Sequence, residues 1–387
     1  DIPYPGGPPK APYDNAGYTL AMQMGVQYDR LLEGFDCACA KIPDVLAKPP
    51  VEATMPNGSG YLIARSVNDG YLAVNRLLKA NQRVEATGTD FYVPASTQST
   101  SVLGGLVAAA GLPVRAGARP AGAKPVRPYR VGLWDQYGGS MPSGWVRWIM
   151  EKFEFPFEVV FAPTLDAGNL NSRFDVLVFV DGSIPPPSRG DSPQRGGFGQ
   201  QAAPADLPTE YRNQVGRISA ERTIPALKAF AENGGRIVTI GSSIALAEHL
   251  GLPVANHLVE RTPQGTVRDI PREKFFVPAS LLEVSVDNTA QSAAGLGTTA
   301  TVLFDQSPTM RLLPDAKQRG VTPVAWFATA SPLRSGWAWG QTYLEGGIAA
   351  AEAKVGRGTV YLFGPEVTFR SQPHGTYKFL FNGIVGQ

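Results

Sequence analysis

Five short apolar runs, each bounded by polar or turn residues, constrain this chain more than any other feature. They are RVGLW (130–134), FEVVF (157–161), FDVLVFVD (174–181), RIVTI (236–240) and TVYLFG (359–364). Runs apolar on both faces and alternating with helical spacing imply a parallel sheet covered on both sides. The intervening helices are expected over 143–153, 221–235 and 243–251. Ser143 serves as N-cap of the first, and Trp145, Trp148 and Ile149 share one of its faces. FFVPASLLEVSVD, TATVLFD and PVAWFAT read as strands of an added mixed region, and the chain ends in an apolar helix after residue 372. The fold class that follows is α/β, a flavodoxin-like wound parallel sheet over 130–387.

Two stretches break this rhythm. Residues 183–208 are rich in Pro, Gly, Ser and Gln and read as a surface insertion. Residues 111–129 are rich in Pro, Gly, Ala and Arg and read as a linker. Residues 1–110 ahead of it form a smaller α/β segment with a Pro-rich start, in which YTLAMQMGVQYDRLL is a helix candidate. The chain opens on Asp1 rather than Met, so it reads as a processed chain or a piece of a longer one.

With 35 basic against 33 acidic residues the net charge is +2, and no basic run is interleaved with aromatics. Nucleic acid is therefore not an expected partner. No run approaches the ~18 apolar residues that a membrane span needs. Cys37 and Cys39 form a C-x-C whose small ring would strain a mutual disulfide, and they are read as plain structural cysteines.

Several residues could carry chemistry. In IVTIGSSIA (237–245) a strand runs through Gly-x-Ser toward a helix, the setting of a nucleophile elbow, and Ser243 takes the nucleophile position. The alternative is a serine that caps the helix. Of the three histidines, His374 stands near the carboxyl end of a strand, where wound sheets place ligands, and is the candidate base. His249 lies too far along its helix to reach back. His257, Glu260 and His374 imitate an H-x-x-E…H zinc set, but too little chain follows His374, and the pattern is read as chance. SPLRSGWAWGQTYLEGG mixes Arg334, Trp337, Trp339, Tyr343 and Glu345 with flexible glycines. It is a candidate carbohydrate or peptide site, or else a packed hairpin.

PYDNAGYTLAMQMGV (12–26), SMPSGWVRWIMEKFEFPFEVV (140–160), GGRIVTIGSS (234–243), SGWAWGQTYLEG (335–346) and QPHGTYKFLFN (372–382) occur in this order. The chain thereby resembles the C-terminal half of bacterial secreted zinc carboxypeptidase-like proteins of the carboxypeptidase A class, which end in a class I glutamine amidotransferase-like domain. The resemblance implies a secreted or periplasmic protein with its zinc in a peptidase domain outside this sequence, and no cofactor in this chain. It also implies that domain as a partner, together with peptide or cell-wall glycan. Where the amidotransferase pattern reads F-H-P-E, with histidine as base, this chain has Phe363-Gly364-Pro365-Glu366, and Ser243 stands for the cysteine. Loss of both thiolate and base implies a pseudoenzyme, an accessory domain that positions substrate or stabilises the peptidase. The alternative is a serine hydrolase built on Ser243 and His374, with Glu366 as a further candidate.

Overall fold

The structure, a computed structural model, describes residues 7, 9, 10, 12, 14, 16–41, 54–187 and 207–386. Most of the expected insertion, 188–206, lies outside the described residues. The chain divides into two compact units, one of residues 1–25 with 127–387 and one of residues 26–126. The N-terminal stretch thus belongs to the large unit, where the N–H groups of Ala16 and Gly17 donate to the Ala279 carbonyl. The long helix expected there is only α1 (Leu20–Met24), closed by Gly25 in the left-handed region.

The small unit runs β1 (Gly60–Ala64), α2 (Asp69–Lys79), β2 (Glu85–Ala86), β3 (Asp90–Pro94), α3 (Thr97–Ala110), β4 (Val114–Ala116) and β5 (Lys124–Pro125). Its sheet has the order β4-β1-β3-β2-β5 with every pair antiparallel, the split β-α-β arrangement of ferredoxin-like folds. Ile63, Phe91 and Val93 of the sheet and Tyr71, Val74, Leu77 and Leu103 of the helices are all without solvent exposure, and the Tyr71 ring stands edge-on to Phe91 with centroids 5.1 Å apart. α3 starts in a capping box, in which Ser99 N–H donates to Ser96 Oγ and Ser96 N–H to Ser99 Oγ.

The linker reading of 111–129 is corrected here, because this stretch supplies β4 and β5. It also brings Arg119 to the fully buried carboxylate of Glu85, Nε to Oε2 at 2.5 Å. In the exposed segment before β1, Cys37 and Cys39 are joined in a disulfide, against the expectation of unpaired cysteines.

The large unit begins with β6 (Val131–Trp134), α4 (Met141–Lys152), β7 (Phe157–Val160), α5 (Ala162–Asp166) and β8 (Val176–Phe179). It continues through α6 (Thr209–Arg212), α7 (Thr223–Glu232), β9 (Arg236–Ile240) and α8 (Leu246–His249). β10 (Val254–Asn256), β11 (Val259–Arg261), β12 (Val267–Asp269), β13 (Ser280–Val286), β14 (Thr299–Phe304) and β15 (Met310–Leu312) follow. β16 (Val321–Trp326), β17 (Leu333–Ser335), β18 (Ile348–Val355), β19 (Gly358–Phe363) and α9 (Tyr377–Val385) complete it. The parallel strands lie in the order β7-β6-β8-β9-β19, which is 2-1-3-4-5 and therefore the flavodoxin-like winding. β18, β16, β13 and β14 extend the sheet antiparallel beyond β19.

α4 is capped by Ser140, which accepts from Ser143 N–H at 3.3 Å, and Pro142 occupies its first turn. Its buried face is Ser143, Val146, Ile149 and Met150, while Trp148 is exposed, so neither the expected cap nor the expected tryptophan face holds. The reason is Pro142, which fits a first turn and moves the start ahead of Ser143. α9 is buried at every residue. Its Phe381 ring lies 4.9 Å from those of Phe153 and Phe155.

Candidate functional site at the carboxyl ends of the parallel strands

In a wound sheet the loops after the parallel strands converge, and ligands bind there. Asp135 follows β6, Asp181 follows β8 with Val180 between them, Gly241 follows β9, and Gly364-Pro365-Glu366 follows β19. Asp305 follows β14 in the antiparallel extension. Asp135 is buried, which raises its pKa above the ordinary carboxylate range against the opposing hydrogen bond from Gln136 N–H at 2.8 Å.

The turn after β9 decides the nucleophile question. Gly241 has φ of +61°, so the left-handed apex of the elbow is a glycine, and Ser243 lies two residues past it in a 3₁₀ turn. A Cβ at Gly241 would come 2.4 Å from Asp181 Oδ1 and 2.5 Å from Glu366 Oε1. Two carboxyl groups therefore fill the place where an elbow side chain would project. Asp181 is fixed by Ser242 N–H, which donates to Oδ1 at 2.7 Å.

Ser243 is fully buried and does not meet His374. Its hydroxyl donates to the Val180 carbonyl at 2.5 Å and accepts from the N–H groups of Ser183 and Ile184, both at 3.2 Å. It shares a further bond with Ser183 Oγ at 2.7 Å. The sequence reading of Ser243 as nucleophile is corrected: the side chain ties the loop after β8 to the turn after β9. Ser243→Ala is expected to cost about 1–2 kcal/mol in urea unfolding, because buried N–H donors lose their acceptor.

The base position is closed as well. A Cβ at Gly364 would stand 2.2 Å from the Pro308 carbonyl oxygen and 3.2 Å from that of Ala349. His374 belongs to a separate turn and stacks on Tyr377 with centroids 4.7 Å apart. In the same loop Arg370 and Ser371 both have positive φ, held where Ser371 Oγ donates to the Trp145 carbonyl and Tyr377 hydroxyl donates to Ser371 O.

Glu366 is only 7% exposed, and among the described residues no hydrogen bond reaches its carboxyl group. Burial first, and then the neighbouring Asp181 and Asp305, raise its pKa well above the ordinary glutamate range. The sequence pointed to Glu366 but missed Asp181 and Asp305. Their only signal is an acidic residue at the end of an apolar strand, in LVFVD and VLFD.

The other candidates lie elsewhere. Arg334 pairs with Glu283, and Trp337 N–H donates to Ser280 Oγ at 2.9 Å. Trp339 donates from its indole to the Glu273 carbonyl at 2.8 Å. The loop is thus pinned along β13, while Tyr343 and Glu345 are exposed. Glu260 is engaged by Arg268 and Lys274, and His249 Nε2 meets the Pro185 carbonyl at 2.7 Å. Burial lowers the pKa of His257. Among the described residues no group of three or more His, Cys, Asp or Glu could hold a metal ion.

No family model matches the chain, and no curated protein matches it. Among solved structures it is similar to a GMP synthase-like protein of Thermoplasma acidophilum. That likeness has 15% identity over 66% of this chain and 93% of that one, with a TM-score of 0.37. A ThuA-like protein of Bacteroides uniformis has 8% identity over 70% and 94%, with a TM-score of 0.36. A β-galactosidase of Bacillus circulans sp. alkalophilus has 10% identity over 62% of this chain and 29% of that one, with a TM-score of 0.32. Likenesses of this size carry no argument about chemistry, for a peptidase partner or otherwise. The order of its parallel strands gives the chain an α/β fold of flavodoxin-like winding.

Proposed function

We propose that this chain is a non-catalytic module on an amidotransferase-like scaffold, serving as accessory domain to a secreted zinc carboxypeptidase-like protein. The observation that supports its non-catalytic character is the double occlusion of the acyl-transfer positions. The elbow apex is Gly241 facing two carboxyl oxygens, and the base position is Gly364 facing a carbonyl. Acyl transfer needs a nucleophile and a base within hydrogen-bonding reach, and neither position accepts a side chain. The link to a peptidase rests on the sequence resemblance. In that role the module would position peptide or glycan substrate or stabilise the peptidase domain, the zinc being held there.

The purified chain is expected to release no ammonia from glutamine and no nitrophenol from p-nitrophenyl acetate above the buffer blank, with Ser243→Ala indistinguishable from the parent. Turnover that disappears in Ser243→Ala and in His374→Ala would replace this reading with the serine hydrolase. The accessory role is checked separately by co-expression with the peptidase domain of the same precursor. A complex in size-exclusion chromatography and a raised Tm of the peptidase are expected, and two independently eluting species would refute the role.

A further inference from the structure

Residues 26–41 are all exposed and contain neither helix nor strand, and among the described residues no hydrogen bond ties them to the rest of the chain. Within this stretch Cys37 and Cys39, the two cysteines of the sequence, are bonded to each other across Ala38. A structural disulfide stabilises by closing a loop in the unfolded chain, and the gain grows with the length of that loop. This bond encloses a single residue and joins no two elements. Its contribution to the fold is therefore small, and what it retains is reactivity, since exposed disulfides in small rings are the exchangeable ones.

The residues ahead of the pair bear on what approaches it. Tyr28, Leu31, Leu32 and Phe35 are exposed, Leu32 at 80% and Leu31 and Phe35 at 64%, so large apolar side chains accumulate directly beside the disulfide. A single exposed apolar residue needs no explanation, whereas an accumulation of them marks a contact surface. A small thiol has no use for such a surface. A lipid bilayer is disfavoured because Asp29, Glu33 and Asp36 intersperse the apolar residues and the stretch forms no amphipathic helix. We propose that Cys37–Cys39 is a redox-exchange site that oxidises the paired thiols of an apolar polypeptide segment, which docks on Leu31, Leu32 and Phe35.

A thiolate of the partner attacks one of the two sulfurs, the S–S bond breaks, and the other cysteine leaves as a thiolate that takes a proton from water. The second thiol of the partner then attacks the mixed disulfide and releases the remaining cysteine. The balance is R(SH)₂ + Cys37–S–S–Cys39 → R(S–S) + Cys37–SH + Cys39–SH, with two electrons passing from the partner to this chain. A ring around one residue is hard to close, so return of the freed cysteine competes poorly with resolution by the partner. Each chain oxidises one dithiol until a disulfide compound such as oxidised glutathione restores the pair.

The test incubates the full oxidised chain with three reduced dithiols: a synthetic two-cysteine peptide rich in Leu and Phe, its counterpart rich in Ser and Gln, and dithiothreitol. Iodoacetamide trapping and intact mass follow the gain of two alkyl groups on the chain. The apolar peptide is expected to react about tenfold faster than the polar one, the scale of burying a few apolar side chains. In Leu31→Ser/Leu32→Ser/Phe35→Ser that advantage should vanish while the rate with dithiothreitol stays the same. Cys37→Ser and Cys39→Ser chains should oxidise neither peptide, and the reduced parent should keep the Tm of the oxidised one. A pair that stays closed with excess peptide or opens only in urea, a Tm that falls on reduction, or equal rates for the two peptides would overturn the proposal. These outcomes are independent of the acyl-transfer positions, and the non-catalytic reading of those positions fails only on turnover of glutamine or ester.

Discussion

The Gly364→His chain is expected to be less stable than its parent by about 3 kcal/mol or more and to remain inactive toward glutamine. The magnitude follows from overpacking, since a rigid core contact must be displaced. A Cβ at this position would stand 2.2 Å from the Pro308 carbonyl oxygen, and the obstacle is backbone rather than a movable side chain. The turn carrying it is itself fixed, because Asp305 N–H donates to Ser307 Oγ and Gln306 N–H to the Val277 carbonyl. Gly364→Ala separates the steric cost from the chemistry of imidazole, since alanine already brings the offending Cβ. Chemical denaturation of both variants is the check. A Gly364→Ala chain as stable as the parent would mean that the loop yields, and that the base position is vacant rather than closed.

Glu366→Gln is expected to do the opposite and raise stability at neutral pH by about 1–3 kcal/mol, the scale of one uncompensated buried polar group. The sign comes from proton linkage. The folded chain holds the Glu366 proton to a pH well above the ordinary glutamate range, because of burial and then of Asp181 and Asp305. The corresponding stability is fully present below the unfolded pKa of about 4.5 and is lost as pH rises through the folded pKa. Glutamine does not titrate, so the variant and its parent should agree near about pH 4 and diverge in favour of the variant toward about pH 8. Urea midpoints at these two ends decide it. Parallel pH profiles for the two proteins would show that Glu366 is solvated or paired in the native state.

Lys378 presents the reverse pH dependence. It is buried in α9, and desolvation lowers its pKa to about 8. Its contribution is fully present above the unfolded pKa and is lost as pH falls through the folded value. In the alkaline range stability should therefore climb with pH in the parent and flatten in Lys378→Met, as followed by urea unfolding.

Much of the architecture was legible because near-continuous apolar runs such as FDVLVFVD and TVYLFG report burial on both faces directly. The small unit was less legible. β4 and β5 are three- and two-residue strands with exposed or partly exposed side chains, so backbone pairing rather than apolar pattern defines them. That is why a Pro- and Gly-rich stretch resembled a linker. The start of α4 was misplaced because Ser140 and Ser143 are both capping types, and Pro142 between them favours the earlier one.

The sequence by itself determined the winding of the large unit and the absence of a histidine before Pro365, since each is written in local runs and motifs. Tertiary structure alone decided what occupies the vacated positions. Asp181, Gly241, Asp305 and Glu366 are far apart along the chain and share no motif. Only the parallel order of β8, β9 and β19, together with the antiparallel extension reaching β14, brings their ends together. Ser243 illustrates the same limit from the other side. Its surroundings in sequence suggest an elbow, but the backbone places the left-handed apex at Gly241 and turns the serine hydroxyl into a buried tie between two loops.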